Sequence, residues 1–578
     1  MHTQKPRLHG KIGLLTLMSM TKPEMVWKTA YRHPGEWDRS YAPRSMVDLF
    51  EESAAAHPHA PLLDFMGRIY SYGETLDGAN RVACGLRALG YGPGDRIGLF
   101  LPNVPHYVAA YYGILKLGGT VVNFSPLYSV EELAAQVADS GTRLLFTLSA
   151  TALLPTALKV LERSALERLV VGSVAGALPT AKSLFYQLFR GSEVTARPHD
   201  PRILAFSKLI ANQGDCVIPT IDPERDVALI QYTGGTTGTP KGAVLTHQNL
   251  SANARQVAEL DPELGQADDT VLGVLPFFHV FANTCVLNRT VITGGKIVML
   301  PRFNAQQVLT ELRRTKPRSL PGVPTMYQAL LDAPGMKPSD FSSLRFCISG
   351  GAPLPEQLKL SWEATTGAHI IEGYGLSESS GVVSANPYVG LNKSGTIGQP
   401  IAGTRVRLVD KEDPRKPAPE GEPGEIVVQG PQIMQGYWNR PEADVGTFVD
   451  DHWLRTGDVG IIDADGYIQI VDRLKDMISV GGFKVVPSQI EAVLYTHPAV
   501  KEALVLGLPD PYHGELPHAY VALNEGQQAD GKEMCGWLNA QLGKHERVAE
   551  VVVRDSLPKT MIGKLSRKDL MAEVKAGR

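Results

Sequence analysis

Between residues 45 and 145 the apolar positions follow two different spacings. In SMVDLFEESAAAHP and HYVAAYYGILKLGG they recur every three to four residues, which predicts helices, the first with Ser45 as its N-cap. The runs DRIGLFLPN and TVVNFSP are short and apolar and end in turn residues, which predicts buried strands. Strands that alternate with helices favour α/β units around a largely parallel sheet.

The pattern changes after about residue 401. TRVRLVD, GEIVVQG and YIQIVD are short alternating strands separated by turns rich in Gly, Pro and Asp, which predicts a small β subdomain. The last hundred residues again mix a helical pattern, PSQIEAVLYTHP, with strand patterns, VKEALVLGLP and HAYVAL. The predicted fold class is therefore α/β, with a large N-terminal domain of α/β subdomains plus a small β subdomain, and then a small C-terminal α/β domain.

The segment SLFYQLFRG, residues 183–191, has one apolar helical face between two cations. The residues concerned are Leu184, Phe185, Leu188 and Phe189, with Lys182 and Arg190 beside them. Such a face predicts either a helix that lies on a membrane surface or a helix that covers the core of its own domain. The segment is short for membrane binding on its own, so we favour the second interpretation.

Composition and charge exclude several classes of protein. The chain is 43% hydrophobic and 20% charged with a net charge of -3, which is typical of a globular protein and offers no basic surface for nucleic acid. No apolar run approaches the roughly 20 residues of a membrane span. We therefore expect a cytoplasmic protein, and peripheral contact with the inner face of the membrane and a homodimer both stay open.

The five cysteines lie far apart, and their spacing indicates neither a disulfide framework nor a zinc site. Reduced thiols are expected, with Cys285 and Cys347 as small core residues. Near the N-terminus, KIGLLTLMSMT resembles a short signal peptide, but no cleavage site of small residues follows it. We expect a leader outside the fold, with Met25 as an alternative start.

The first stretch whose residue types suit ligand binding is YTGGTTGTPKG, from Tyr232 to Gly242. Glycines let backbone N–H groups converge on an anion, while the threonine hydroxyls and Lys241 add donors and a cation. Together these groups suit a polyphosphate. The stretch does not match the G-x-x-x-x-G-K-[ST] loop, because Pro240 precedes the lysine and Gly242 follows it.

This stretch closely resembles the signature of the adenylate-forming superfamily, which includes the acyl-CoA synthetases. The resemblance implies that the chain activates a carboxylate with ATP to an acyl adenylate, releases pyrophosphate, and transfers the acyl group to a thiol. Further family motifs follow in order, and the resemblance covers roughly residues 40–570. It is strongest to long-chain fatty acyl-CoA synthetases.

SGGAPL and EGYGLSES resemble the family's adenine-binding segments, in which Tyr374 stacks on the adenine face. Glu378 matches the family's magnesium ligand, since Mg²⁺ prefers hard oxygen donors beside bound phosphates; Thr237 is the second ligand that we expect. The implied ATP-binding residues are Thr233, Gly234, Gly235, Thr236, Thr237, Gly238, Lys241, Gly350, Gly351, Ala352, Glu372, Gly373, Tyr374, Gly375, Ser377, Asp458 and Arg473.

The segment from Asp450 to Asp476 resembles the long signature of fatty acyl-CoA synthetases. It implies that Asp458 accepts hydrogen bonds from the ribose, that Arg473 contacts ribose or phosphate, and that Lys475 is the hinge of the small domain. We therefore divide the chain into an N-terminal AMP-binding domain, residues 1–474, and a mobile C-terminal domain, residues 475–578.

Two later motifs imply the remaining roles. VGGFKVVPSQIE resembles the loop that faces the CoA channel, which makes Gly481, Gly482 and Lys484 the expected CoA-binding residues, although the charge of Lys484 could equally be solvated. PKTMIGKLSRKDL matches the terminal motif of the family, in which Lys564 is the catalytic lysine that stabilises charge at the α-phosphate.

LPFFHVFANT falls where the family has the entrance of the acyl tunnel, so His279 is expected near the substrate carboxylate, with Phe278 or Phe281 as a gate. The expected partners are fatty acid, ATP and CoA, with Mg²⁺ as cofactor. The open alternatives are an aryl-CoA ligase of the 4-coumarate type, an acyl-AMP ligase and a non-catalytic acyl- or nucleotide-binding protein.

Overall fold

The structure is a computed structural model that describes residues 22–189, 191–233, 240–265, 269–474, 476–481, 483–559 and 565–577. The segment KIGLLTLMSMT lies outside these residues. Met25 falls in the first described helix, where Trp27 is buried and its Nε1 donates to the carbonyl of Gly466 at 2.9 Å.

The first large sheet has seven strands, and only its last pair is antiparallel. Most of its strands are fully buried apolar runs, as expected where helices cover both faces. In spatial order its strands are Ile203–Ala205, Arg168–Gly172, Leu144–Leu148, Arg96–Leu99, Thr120–Asn123, Val227–Thr233 and Lys241–Thr246.

The second large sheet has nine strands, parallel in the middle and antiparallel at both edges. Its strands in spatial order are Gln399–Pro400, Ser384–Ala385, His369–Tyr374, Phe346–Ser349, Ser319–Gly322, Thr270–Gly273, Lys296–Met299, Pro61–Phe65 and Arg68–Ser71. Because parallel strands point the same way, the ends of Phe346–Ser349 and His369–Tyr374 meet at one edge of this sheet.

Two smaller sheets follow in the chain. The antiparallel sheet of the predicted β subdomain contains Arg405–Val409, Gly424–Gln429, Trp453–Ile462, Phe448–Val449 and Ile468–Arg473. The last sheet contains Phe483–Val485, Ile478–Val480, Gly514–Leu523, Val500–Asp510 and Glu550–Arg554. The first three sheets share one large apolar core, whereas the last sheet packs on a core of its own.

Helices cover the sheets, and several begin where the sequence predicts. Ser45 caps Met46–Ala56 by accepting from the Asp48 N–H at 2.9 Å. The α-helices are Lys22–Ala30, Met46–Ala56, Tyr72–Ala88, Pro105–Lys116, Val130–Ser140, Leu154–Arg163, Val174–Ala177, Thr180–Phe189, Phe206–Leu209, His247–Glu259, Val280–Ala282, Arg289–Thr293, Ala305–Thr315, Pro324–Leu331, Glu356–Thr366, Pro441–Asp444, Pro487–Tyr495, Gly531–Asn539 and Arg567–Lys575. A π-helix, Asn283–Asn288, and the 3₁₀ turns Gly191–Glu193, Pro338–Phe341 and Ser377–Ser379 complete the helical segments of the described residues.

The expectation of five reduced thiols is wrong for one pair. Cys84, in the helix Tyr72–Ala88, and Cys216 form a disulfide between residues 132 positions apart in the chain. Local spacing does not reveal such a pair, because tertiary packing brings the two segments together. Cys285 and Cys347 are free and buried, as predicted.

The preferred interpretation of the apolar segment 183–191 is also wrong. In the helix Thr180–Phe189 the side chains of Leu184, Phe185 and Phe189 are 58%, 58% and 69% exposed. Among the described side chains of this helix, Tyr186 packs against the core. Leu188 and Arg190 lie outside the described side chains. In the part of the chain that the structure describes, no helix is long and apolar enough to cross a membrane.

Candidate active site

A hairpin presents the predicted phosphate loop. Its strands Val227–Thr233 and Lys241–Thr246 pair antiparallel, with Thr233 opposite Lys241, so both ends of the loop are fixed side by side. The Tyr232 hydroxyl donates to an Asp139 carboxylate oxygen at 2.6 Å and anchors the first strand. The intervening residues, 234–239, lie outside the described residues.

Lys241 and Glu378 meet at one aromatic ring. The Lys241 ammonium lies 5.0 Å from the centre of the Tyr437 ring, and the Tyr437 hydroxyl donates to Glu378 Oε1 at 2.7 Å. Burial, reinforced by the carboxylate of Glu378, raises the pKa of Tyr437, so this hydroxyl stays a donor. A cation and a carboxylate, both predicted site residues, are therefore held within one small region.

Tyr437 is a site residue that the sequence analysis missed. It lies in the segment QGYWNR, which carries no charge pattern or glycine spacing that separates it from an ordinary turn. Its contact with Glu378 joins residues 59 positions apart.

Three predicted nucleotide-binding residues come together around Asp458. Its Oδ2 accepts from the Tyr374 hydroxyl at 2.5 Å, and its Oδ1 lies 2.9 Å from Arg473 Nε. Only 2% of Asp458 is exposed, and it pairs with Arg473 across two adjacent strands. A buried carboxylate that holds an arginine and a tyrosine in place provides a rigid polar wall.

The two predicted adenine-binding segments lie at the shared edge of the nine-stranded sheet. Glu372 Oε1 accepts from the backbone N–H of Leu354 at 3.0 Å, which ties one segment to the other. Burial raises the pKa of Glu372 to about 7. A Cβ atom on Gly375 would lie 2.0 Å from the Gly381 carbonyl oxygen, so only glycine fits there.

A cavity of about 150 Å³ opens between these elements. Predicted site residues line part of it, namely His279, Gly350, Gly351, Gly373, Tyr374, Gly375 and Ser377. Members of an apolar cluster also line it, namely Val257, Leu260, Cys285, Val382 and Ala385, with Tyr388 packed against them. The cavity therefore adjoins both predicted nucleotide-binding residues and an apolar cluster. Ala352 is half-buried in the loop next to Gly351.

His279 lines the cavity as a neutral imidazole. Burial lowers its pKa to about 4, and its Nε2 atom is buried without a hydrogen-bond partner among the described residues. An unpartnered buried nitrogen on a residue that lines a cavity is suited to a polar group of a ligand. Of the two predicted gate residues, Phe281 lines this cavity, whereas Phe278 is buried, with its ring centre 4.6 Å from that of His279.

The contacts described above leave out several of the predicted site residues. Gly481, at a φ of 57°, is in the exposed turn between Ile478–Val480 and Phe483–Val485, and the backbone of Lys484 pairs with Ser479. The residues that lie outside the described part of the chain are Gly234, Gly235, Thr236, Thr237, Gly238, Lys475, Gly482 and Lys564.

The fold and this site define the class of the protein. Residues 50–438 match the family described as AMP-binding enzyme, and residues 489–564 match its C-terminal domain. The chain belongs to this family of enzymes. The predictions of an adenylate-forming resemblance and of an α/β fold with a small C-terminal domain are confirmed.

Two proteins of similar sequence carry names that state a substrate. A protein of Bacillus subtilis (strain 168) named long-chain-fatty-acid–CoA ligase is 37% identical over 564 residues, which cover 96% of this chain and 99% of that protein. A protein of Dictyostelium discoideum named probable 4-coumarate–CoA ligase 1 is 34% identical over 507 residues, covering 87% and 90% of the two chains.

Solved structures share the fold. The crystal structure of ATP-bound MatB from Rhodopseudomonas palustris has a TM-score of 0.80 and 27% identity, covering 91% of this chain and 98% of that chain. The Bacillus subtilis o-succinylbenzoate CoA synthetase MenE, in complex with ATP and a magnesium ion, has a TM-score of 0.73 and 26% identity, with coverage of 92% and 100%.

Proposed function

We propose that this enzyme activates a long-chain fatty acid with ATP to acyl-AMP, releases pyrophosphate, and transfers the acyl group to CoA. The observation that carries this proposal is the cavity lined both by Tyr374 and His279 and by the apolar cluster that contains Val257, Leu260 and Cys285. A molecule with a carboxylate head and an apolar tail matches this combination of polar and apolar walls. The relative named long-chain-fatty-acid–CoA ligase supports the same substrate class.

In the first half-reaction, Asp458 and Arg473 position the ribose, Tyr374 faces the adenine, and Lys241 contacts phosphate. Lys564 stabilises the charge that develops as the carboxylate oxygen attacks the α-phosphorus and the bond to pyrophosphate breaks. The neutral His279 donates to or orients the carboxylate from the cavity wall.

In the second half-reaction the C-terminal domain, residues 475–578, turns about Lys475 relative to residues 1–474. The turn between Ile478–Val480 and Phe483–Val485 then brings Gly481, Gly482 and Lys484 to CoA. The CoA thiol attacks the acyl carbonyl, and AMP leaves. Separate apolar cores on either side of residue 475 support this movement.

The residues at the phosphate end fit a magnesium ion. Glu378 supplies a hard carboxylate, and its Tyr437 contact orients that group beside the cation of Lys241. One or two protein carboxylates with substrate phosphates are the usual Mg²⁺ environment. Glu378 and Thr237 would hold the ion, which supplies charge neutralisation at the phosphates when bound.

The proposal is tested by measuring pyrophosphate release with ATP and magnesium across acetate, octanoate, palmitate, oleate and 4-coumarate, with and without CoA. Sustained turnover on palmitate or oleate that requires CoA is the expected result. Pyrophosphate release that is not accompanied by any acyl-CoA product would indicate an acyl-AMP ligase. No release with any of the acids would overturn the assignment of an acid-activating activity.

An aryl-CoA ligase is the second candidate, and the relative named probable 4-coumarate–CoA ligase 1 favours it. The cavity lining is less favourable, because the apolar cluster offers, apart from Tyr388, only aliphatic and thiol side chains. In the same assay, a kcat/KM for 4-coumarate above that for palmitate would select this candidate.

We further propose that the enzyme is cytoplasmic and contacts a membrane surface through the helix Thr180–Phe189. Leu184, Phe185 and Phe189 are exposed on it, and Lys182 donates to the carbonyl of Met66 at 2.8 Å, which holds the helix against the turn between Pro61–Phe65 and Arg68–Ser71. From Arg168 to Ser192 the sequence contains no carboxylate, so this segment adds no negative charge that would repel an anionic lipid surface.

Flotation with phosphatidylglycerol vesicles tests this contact. The wild-type chain is expected to float with the vesicles, and a Phe185→Ser, Phe189→Ser double variant is expected to stay in the dense fraction. A matched control is Val217→Ser, another exposed apolar residue in a different segment. Equal flotation of all three proteins would contradict the proposal.

A further inference from the structure

Tyr388 is one of the residues that line the cavity. The ring of Tyr388 packs against the ring of Phe346, with 4.5 Å between the centroids. Tyr388 also packs on the apolar cluster that contains Val257, Leu260 and Cys285. Tyr388 therefore stands between the cavity and Phe346, which does not line it.

Behind Tyr388 lies a second cavity of only about 10 Å³. It shares Val257, Cys285, Ile348 and Tyr388 with the first cavity, so the two spaces are neighbours across one wall. The rest of its lining is different in character and includes Asp261, Asp269, Arg289, Arg318 and Phe346. The Tyr388 ring thus separates an apolar space from a charged one.

The charged residues form a closed cluster of ion pairs. Arg289 Nη1 lies 2.5 Å from Asp269 Oδ2, and Arg318 Nη1 lies 2.6 Å from Asp261 Oδ2. All four residues are at most 8% exposed. Because each charge is paired and buried, separating the pairs to admit a methyl terminus would leave unpaired charges.

The cluster also supports the wall from behind. The Arg318 guanidinium lies 5.4 Å from the centre of the Phe346 ring, on which Tyr388 packs. From the ion pairs toward the apolar cavity, the side chains therefore follow in the order Phe346 and then Tyr388. A wall that rests on a buried salt-bridge cluster has little room to retreat, since protein interiors are close-packed.

We propose that Tyr388 is the end wall of the acyl pocket and that it sets the longest fatty acid the enzyme uses efficiently. This inference rests on the proposed function, and it adds the residue that determines chain-length specificity. Tyr388 acts on the tail of the substrate and takes no part in the chemistry at the carboxylate.

The test is the ratio of kcat/KM values for dodecanoate, palmitate and eicosanoate in Tyr388 variants. Tyr388→Trp extends the wall into the pocket and is expected to lower the palmitate-to-dodecanoate ratio by about tenfold or more. Tyr388→Ala removes the ring and is expected to raise the eicosanoate-to-palmitate ratio, since each additional buried methylene contributes roughly a fourfold gain. Tyr388→Phe keeps the wall and is expected to keep the wild-type ratios.

Ile401→Ala is the matched control, because Ile401 is fully buried in the same apolar cluster but does not line the cavity. It is expected to lower the melting temperature and leave the chain-length ratios unchanged. Ratios in Tyr388→Trp and Tyr388→Ala that move no more than those of Ile401→Ala would overturn the proposal. If Tyr388→Ala does not fold, Tyr388→Trp decides alone.

The two proposals fail in different ways. A wild-type enzyme that uses none of the three fatty acids contradicts the proposed function. A wild-type enzyme that uses them, with a chain-length profile insensitive to residue 388, contradicts only the role of Tyr388.

Discussion

At the scale of single residues, the Tyr374 hydroxyl bonded to Asp458 at 2.5 Å is a contact whose loss should affect one substrate only. Tyr374→Phe removes a hydrogen bond to a charged group, worth about 1.5–3 kcal/mol. We expect the KM for ATP to rise by roughly tenfold or more, with the KM for the fatty acid nearly unchanged. Separate saturation curves for the two substrates measure this, and an equal rise in both KM values would contradict a role specific to the nucleotide.

Lys564 is assigned to the first half-reaction alone. Lys564→Ala is therefore expected to lower adenylate formation by on the order of 10²–10³-fold, the cost typical of removing one electrostatic donor. Thioester formation from supplied acyl-AMP and CoA should stay near the wild-type rate. Single-turnover measurements of the two half-reactions separate these effects, and an equal loss in both would show that the assignment is wrong.

At the scale of elements, an ion pair joins the helices Pro487–Tyr495 and Arg567–Lys575 of the C-terminal domain. Arg567 Nη2 lies 2.6 Å from Glu491 Oε2, and Glu491 is 9% exposed. Arg567→Ala leaves a buried carboxylate unpaired, so we expect this domain to lose about 3–5 kcal/mol of stability. Hydrogen exchange should rise in residues 476–577 and stay unchanged in the large domain.

A double variant shows whether the unpaired charge causes the loss of stability. Arg567→Met with Glu491→Leu removes both charges and keeps apolar volume, so it should be more stable than Arg567→Ala. If the double variant is no more stable than the single variant, the ion pair is not the cause of the loss.

The elements also show what the sequence can predict. Ser45 as a cap and the strands and helices between residues 45 and 145 follow from local periodicity, and the structure has them at those places. Tyr437 beside Glu378, Tyr388 beside Phe346, and the Cys84–Cys216 bond depend on contacts between distant segments. The local sequence pattern carries no information on such contacts between distant segments. For the same reason it does not predict that the apolar face of Thr180–Phe189 is exposed.

At the scale of the whole molecule, buried histidines predict sensitivity to acid. Burial lowers the pKa of His33, His106, His247 and His279 to about 4. Because the unfolded chain has its ordinary pKa near 6.5, it binds more protons than the folded chain between these values. The stabilisation is therefore complete above pH 6.5 and is lost as the pH falls toward 4.

The expected loss of folding free energy is large enough to be measured. Protonation of each such histidine removes up to about 3 kcal/mol of stability at the acid limit, and the loss from four together is comparable with the typical 5–15 kcal/mol stability of a domain. We expect the melting temperature to fall steeply between pH 6.5 and 4. His247→Asn should flatten this fall relative to wild type, and identical pH profiles for the two proteins would contradict the explanation.

The disulfide between Cys84 and Cys216 makes a covalent ring of the intervening chain, and the exposed helix Thr180–Phe189 lies on that ring. A single protease cut after Lys182 would therefore open the ring without dividing the molecule. On a denaturing gel the nicked enzyme should migrate as one chain without reductant and as two fragments with it. Such a cut would leave every strand of both large sheets attached to a single covalent framework.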